Sequence, residues 1–192
     1  MEQEDHALLQ EFLEGNEEAL HLLIKRYVTS VYNFVYRLSG NASDTEDITQ
    51  ETFIKVWRHA RKFDPSQNFK TWLFTIAHRS TIDLLRKKKR FVFSDFDHDA
   101  GGAPFSDSII DTEPLPDELF ARAEEKEMIT HLVAQLSPTH QEVLLLHYTE
   151  ELTFDQIGNI LGKSLNTVKS QHRRALAQLH KLLEDAHVKV KP

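Results

Sequence analysis

Asn166, Lys169, Ser170 and Arg173 fall on one face of a helical wheel drawn at about 100° per residue, with Thr167 and Arg174 at its edge. Amide, hydroxyl, ammonium and guanidinium groups gathered on one face are the types that hydrogen-bond base edges and hold phosphates in a DNA major groove. The chemistry they predict is recognition, not bond breaking. Val168, His172, Ala175, Leu176, Leu179 and Leu183 occupy the opposite face and read as its core side.

The elements that must position this face are legible around it. Residues 153–174 form a helix-turn-helix pattern in which Ile157, Leu161 and Val168 are the apolar contacts and Gly158 is small where the helices cross. Gly162 suits the turn because it accepts a positive φ without a Cβ clash, and Ser164 is placed to cap the second helix.

A second basic group, Arg86-Lys87-Lys88-Lys89-Arg90, ends a long helix predicted over residues 69–90 through Trp72, Leu73, Ile76, Ala77 and Leu84. The aromatics Phe69 and Trp72 at its start admit two roles, stacking on single-stranded bases or filling the core, and core filling is favoured. Before it lies a turn-prone loop at 63–68. Upstream come a short amphipathic helix through Leu8, Leu9, Phe12 and Leu13, a longer one over 19–38 closed by Ser39-Gly40-Asn41, and a helix running to about 62. Ser43 and Glu46 have the spacing of a capping box for the last of these.

Periodicity disappears over roughly residues 91–116, where Gly101, Gly102, Pro104, Pro114 and Pro116 sit among aspartates. Such a stretch predicts a linker. After it, helices are expected over 117–136 and 139–148, broken at Ser137-Pro138, followed by the helix-turn-helix, whose last helix runs to about 183. The predicted fold is all-α: two small helical domains joined by a flexible acidic linker, the second containing the helix-turn-helix.

The chain has 192 residues and a net charge of −7, which taken as a whole repels a polyanion. Distribution resolves this. Acidic residues gather at 2–18, 44–51 and 95–127, and basic ones at 55–62, 86–90 and 163–181, leaving two local DNA-facing patches on an acidic protein. Cysteine is absent, excluding disulfides, thiolate nucleophiles and Cys-ligated zinc. The acidic start Met-Glu-Gln-Glu-Asp-His lacks signal-peptide character and no apolar run reaches membrane-spanning length, so a cytoplasmic protein without membrane insertion is expected. Eleven histidines invite an enzymatic reading. However, His131, His140 and His147 lack an obvious third ligand, and neither a zinc-hydrolase spacing, a phosphate-cradling loop nor a nucleophile elbow is present, so no catalytic residue, metal or cofactor is expected.

Three motifs in order carry a resemblance. Asp44-Thr45-Glu46-Asp47-Ile48-Thr49-Gln50-Glu51-Thr52-Phe53-Ile54-Lys55-Val56-Trp57, then Phe69-Lys70-Thr71-Trp72-Leu73-Phe74-Thr75-Ile76-Ala77-His78-Arg79, then Leu136-Ser137-Pro138 with Thr167-Val168-Lys169-Ser170 resemble the signatures of bacterial extracytoplasmic-function (group IV) RNA polymerase sigma factors. The resemblance implies a division into 1–92, a region 2 domain binding core polymerase and the promoter −10 element; 93–116, the linker; and 117–192, a region 4 domain reading the −35 element. It implies that Asp47, Gln50, Glu51, Phe53 and Trp57 meet the coiled coil of the largest catalytic subunit. Ser66, Gln67, Asn68, Phe69, Lys70, Arg79, Arg86, Lys87, Lys88 and Arg90 would act on melted −10 DNA, with the first three bonding a flipped base. Ser164, Asn166, Thr167, Lys169, Ser170, Arg173 and Arg174 would act on the −35 duplex.

The linker aspartates Asp95, Asp97, Asp99, Asp107 and Asp111 would suit a positively charged polymerase channel better than DNA. His172 stands where the family has a more usual apolar residue and has two candidate roles, core packing or phosphate contact when protonated. Only about ten residues follow the last predicted helix, so regulation is expected from another protein, an anti-sigma factor, acting on a chain that is a monomer when free. A conventional dimeric helix-turn-helix regulator is the alternative; it explains the C-terminal third but leaves the two upstream motifs without a purpose.

Overall fold

The computed structural model of the chain describes residues 2–94 and 128–190, and every described element is helical. Residues 91–94, expected to begin the linker, continue the helix that starts at Phe69; the rest of the linker, its five aspartates and the first part of the helix expected from 117 lie outside the described residues. Two compact units divide the chain: Met1–Ala103 with Asp155–Ser164, and Pro104–Phe154 with Leu165–Pro192.

In the first unit, α1 (Glu2–Leu13), α2 (Glu17–Ser39), α3 (Ala42–His59) and α4 (Phe69–Ser94) pack around one apolar centre, with a 3₁₀ turn at Ala60–Lys62. Leu23, Val31, Val35, Val56, Leu73 and Phe74 are each 1% exposed or less. Burial of such side chains contributes roughly 1.5–3 kcal/mol apiece. Phe34 meets Phe74 edge to face, with ring centroids 5.3 Å apart. α2 closes on Gly40, left-handed at φ 63°, whose N–H donates to Tyr36 O at 2.8 Å.

The cap of α3 differs from the Ser43 and Glu46 box. Asn41, extended at φ −137°, accepts from Asp44 N through its side chain at 2.9 Å, and the helix begins at Ala42. The left-handed Gly40 turns the chain back at once, so the first extended residue available for capping is Asn41.

The second unit holds α5 (residues 128–134), α6 (Pro138–Leu144), a π-helical turn (Leu145–Thr149) and α8 (Leu165–Val190). Ser137 caps α6 by accepting from His140 N, with Pro138 at the first helical position where its missing N–H costs nothing. Leu136, Leu144 and Ala175 form a buried cluster against which Leu182 packs, and Val168 is fully buried. Val168, Ala175 and Leu182 recur at heptad spacing. Leu176, expected in the core, is 38% exposed, because that stripe turns it to the edge of the packed face.

α7 (Phe154–Leu161) buries Ile157, Gly158 and Ile160, whereas Leu161, expected among the apolar contacts, is half-buried. It ends at Gly162, left-handed at φ 65°, and Lys163 N donates to Gly158 O at 2.9 Å, the long bond of a Schellman close. A Cβ at Gly162 would meet nothing within 4 Å, so substitution is penalised by backbone conformation alone. Gly162→Ala is expected to cost about 1 kcal/mol and Gly162→Asn less, measured by chemical denaturation of the full chain.

Candidate nucleic-acid interface

Three surfaces take up most of the residues singled out by sequence. The first is an exposed groove between α2 and α3. Leu20, Ile24, Val28 and Tyr32 line one wall at four-residue steps, and Glu46, Asp47, Gln50, Phe53, Ile54 and Trp57 line the other. Trp57 is 59% exposed and Ile54 41%. An apolar strip rimmed by carboxylates and an amide has the character of a protein-binding surface.

Asp47, Gln50, Phe53 and Trp57 are brought together here. Glu51 is not. It pairs with Lys55 at 2.8 Å and lines a different cleft, between α3 and α4, because one residue along a helix rotates the side chain by about 100°. The α2 wall was missed in the sequence; its signal was the second apolar stripe running beside the core stripe of Leu23, Tyr27 and Val31.

The second surface is the loop between the 3₁₀ turn and α4. Asp64 organises it: Ser66 N donates to Asp64 Oδ1 and Gln67 N to Asp64 O, each at 2.9 Å. The bond from the Ser66 backbone N–H, then that from its side chain, hold the Asp64 carboxyl below its ordinary range. Ser66 and Gln67 are exposed, available to a ligand.

Asn68 is committed differently from expectation, since its Oδ1 accepts from Thr71 N at 2.9 Å and from Thr71 Oγ1 at 3.2 Å, capping α4. Phe69 is a core residue at 1% exposure, in ring contact with Tyr27, Phe63 and Trp72, and offers no face to a base. Trp72 is half-buried and packs on Phe63 with centroids 5.0 Å apart. Lys70 stands 5.8 Å over the Phe74 ring.

Along α4, Arg79, Arg86 and Lys87 are exposed, the last two in the cleft that also holds Glu51, Lys55, Ser80 and Asp83. Lys55 Nζ donates to Ser80 Oγ at 2.9 Å, tying α3 to α4 across it. Lys88 is exposed and ion-paired with Asp44 at the start of α3, so a phosphate would compete with that carboxylate for its charge. Arg90 belongs to α4, with its side chain outside the described residues.

The third surface is the start of α8. Ser164 directly precedes its first residue, and Ser164, Asn166, Thr167, Lys169, Arg173 and Arg174 are all exposed. Ser170 is half-buried. This is the polar face the helical wheel described.

His172 resolves into a packing role. It lies among His147, Tyr148 and Phe154, with centroid separations of 5.1, 5.6 and 4.9 Å, and its Nε2 sits 3.1 Å from Tyr148 Oη. His147 stacks on Phe154 at 4.5 Å and its Nδ1 bonds Leu152 O at 2.9 Å, so that nitrogen carries a hydrogen. Burial first, and then the neighbouring His147, push the His172 imidazole below the usual histidine range.

A depressed folded pKa means the unfolded chain binds more protons. The contribution is therefore complete above about 6.5 and is lost as pH falls through the folded value. His172→Phe, which keeps a ring in place, is expected to show a smaller fall in thermal midpoint than the wild type between about pH 7.5 and pH 5. Equal falls would remove this account.

Among the described residues, no group of three or more His, Asp or Glu side chains is arranged to hold a metal ion, and no helix is long and apolar enough to cross a membrane.

Residues 23–91 match Sigma-70 region 2 and residues 132–181 match Sigma-70 region 4. The chain is 33% identical over 173 residues to the ECF RNA polymerase sigma factor SigW of Bacillus subtilis, covering 89% of this chain and 92% of the relative. Its fold is similar to that of CnrH, solved with the cytosolic domain of CnrY, with a TM-score of 0.66 at 22% identity over 95% of this chain and 98% of the other. It is also similar in fold to the sigma factor RpoE of Bartonella quintana, solved with the anti-sigma factor NepR, with a TM-score of 0.63 at 22% identity over 85% of this chain and 96% of the other.

Proposed function

The chain belongs to the extracytoplasmic-function branch of the sigma-70 family, and from that membership we propose how its surfaces divide the work of transcription initiation. It is an alternative sigma factor that directs RNA polymerase to promoters. Sigma factors are initiation factors and supply specificity; the phosphoryl-transfer chemistry belongs to the polymerase.

In our reading, residues 1–92 serve core binding and the −10 element, 93–116 the connection, and 117–192 the −35 element. The α2–α3 groove receives the coiled coil of the polymerase's largest catalytic subunit, with Trp57 and Phe53 as apolar anchors and Asp47 and Gln50 at the rim. Ser66 and Gln67 bond a base flipped from the melted −10 strand, and Arg79, Arg86 and Lys87 hold its phosphates. Flipping costs a few kcal/mol of lost stacking, so such compensating contacts are required. The exposed face of α8, through Asn166, Lys169 and Arg173, enters the −35 major groove.

The observation that carries this reading is the exposed apolar groove within a region 2 fold, which a duplex-binding regulator has no use for. The protein acts in the cytoplasm, where core polymerase and promoter DNA meet. An anti-sigma protein that covers the groove is the partner we propose for the free monomer, as NepR accompanies RpoE.

Transcription in vitro with bacterial core polymerase and a promoter library, with and without this protein, tests the whole reading. Discrete RNA 5′ ends preceded by shared −35 and −10 elements are expected only when the protein is added. Tight sequence-specific duplex binding by the protein alone, with no added initiation, would instead establish the conventional regulator.

A further inference from the structure

Helix α1 lies outside both family-matched segments, which begin at residue 23 and residue 132, so the match assigns it no part. Its contacts give it one. Asp5 is 2% exposed, and its carboxylate accepts from Arg26 Nη1 and Tyr27 Oη of α2, each at 2.5 Å. Tyr27 in turn touches the Phe69 ring at 5.8 Å between centroids. One residue along and about 100° around the helix, His6 faces the loop at 63–68.

His6 Nε2 lies 2.9 Å from the Gln67 carbonyl oxygen, and its ring meets Phe63 edge on at 5.6 Å. A carbonyl oxygen only accepts, so Nε2 carries the hydrogen, and both the neutral Nε2–H tautomer and the imidazolium ion satisfy the bond. Within the loop, Gln67 N is already held by Asp64 O. The two peptide groups flanking the Gln67 Cα are therefore both restrained, one by Asp64 and one by His6. Restraint on both sides fixes the direction in which the exposed Gln67 side chain leaves the backbone, and Phe63, which the His6 ring meets, also packs on Trp72 at 5.0 Å between centroids.

We infer that His6 is a positioning residue for promoter −10 recognition: it fixes the Gln67 peptide from α1, so that the loop meets the flipped base already ordered. The inference rests on the reading of 63–68 as the −10 loop. A loop free to re-pack would accommodate incorrect bases as well as the correct one, which narrows the difference in affinity between them; a loop held in one arrangement cannot.

Holoenzyme assembled from core polymerase and the full-length chain tests this on a promoter library randomised in the −10 element, alongside competition for core. His6→Phe keeps the ring edge and removes the donor; it is expected to reduce discrimination between preferred and other −10 bases by about five- to tenfold, with core affinity within about twofold of wild type. His6→Gln places an amide N–H near the position of Nε2 and is expected to recover most of the discrimination. Gln67→Ala, which removes the aimed side chain, reports on the loop itself. If Gln67→Ala flattens the −10 preference and His6→Phe leaves it intact, the positioning role is overturned while the loop assignment stands. If neither variant changes the preference, the −10 assignment fails and the inference with it. Parallel loss of core affinity and discrimination in both His6 variants would mean a structural role only, which also overturns it.

Discussion

Trp57→Ala is expected to weaken binding to core RNA polymerase roughly thirtyfold or more while leaving thermal unfolding of the free protein nearly unchanged. The two effects separate because of where the indole sits. At 59% exposure Trp57 contributes little to its own fold, whereas Val56 beside it is 1% exposed and belongs to the core. A large aromatic held on a groove wall with Phe53 and Ile54 is the type of anchor that dominates a protein interface, and loss of such an anchor typically costs about 2 kcal/mol or more. Asp47→Ala is expected to act in the same direction and less strongly, as a rim charge does. Glu51→Ala supplies an internal control, since its carboxylate is paired with Lys55 in the cleft between α3 and α4. Competition of each variant with wild type for labelled core reads all three. Undiminished binding by Trp57→Ala would dissociate the groove from the polymerase.

Arg173→Ala is expected to reduce transcription from −35-dependent promoters by about five- to a hundredfold, corresponding to ~1–3 kcal/mol for a lost base contact, with core affinity intact. Arg173 is exposed on the face of α8 that also carries Asn166 and Lys169. A base contact and a phosphate contact leave different traces. If the guanidinium reads a base, the variant relaxes preference at one −35 position; if it holds phosphate, binding weakens uniformly and the salt dependence falls by about one counterion. Relaxation at one position is the expected result. Unchanged −35 dependence would remove Arg173 from the interface, and an accompanying loss of core affinity would point to a folding defect instead.

Most helix limits were legible because their causes are local. α2 ends at Gly40 and α7 at Gly162 because a glycine there takes positive φ. Ser137-Pro138, expected as a break with the helix resuming at 139, is instead the cap and first residue of α6, since the first helical position needs no N–H. The polar face of α8 followed from 3.6-residue periodicity alone. The capping box of α3 failed for a reason equally close in sequence: the left-handed residue before Asn41 moved the helix start by two positions.

By itself, then, the sequence determined the helical class, the order of elements, the polar face of α8 and, through three motifs in order, the family. Which way individual side chains commit was decided by tertiary structure. Glu51 and Gln50 are neighbours in sequence and line different clefts. Asn68 has the chemistry to bond a base, but its oxygen is occupied by the cap of α4; Phe69 has a face suited to stacking, but it is buried against Tyr27. Lys88 belongs to a basic run, but it is paired with Asp44, distant in sequence, which a phosphate would have to displace. Residue type and spacing encode what a group is able to do; whether it is free to do so depends on partners that only the packed helices bring within bonding distance.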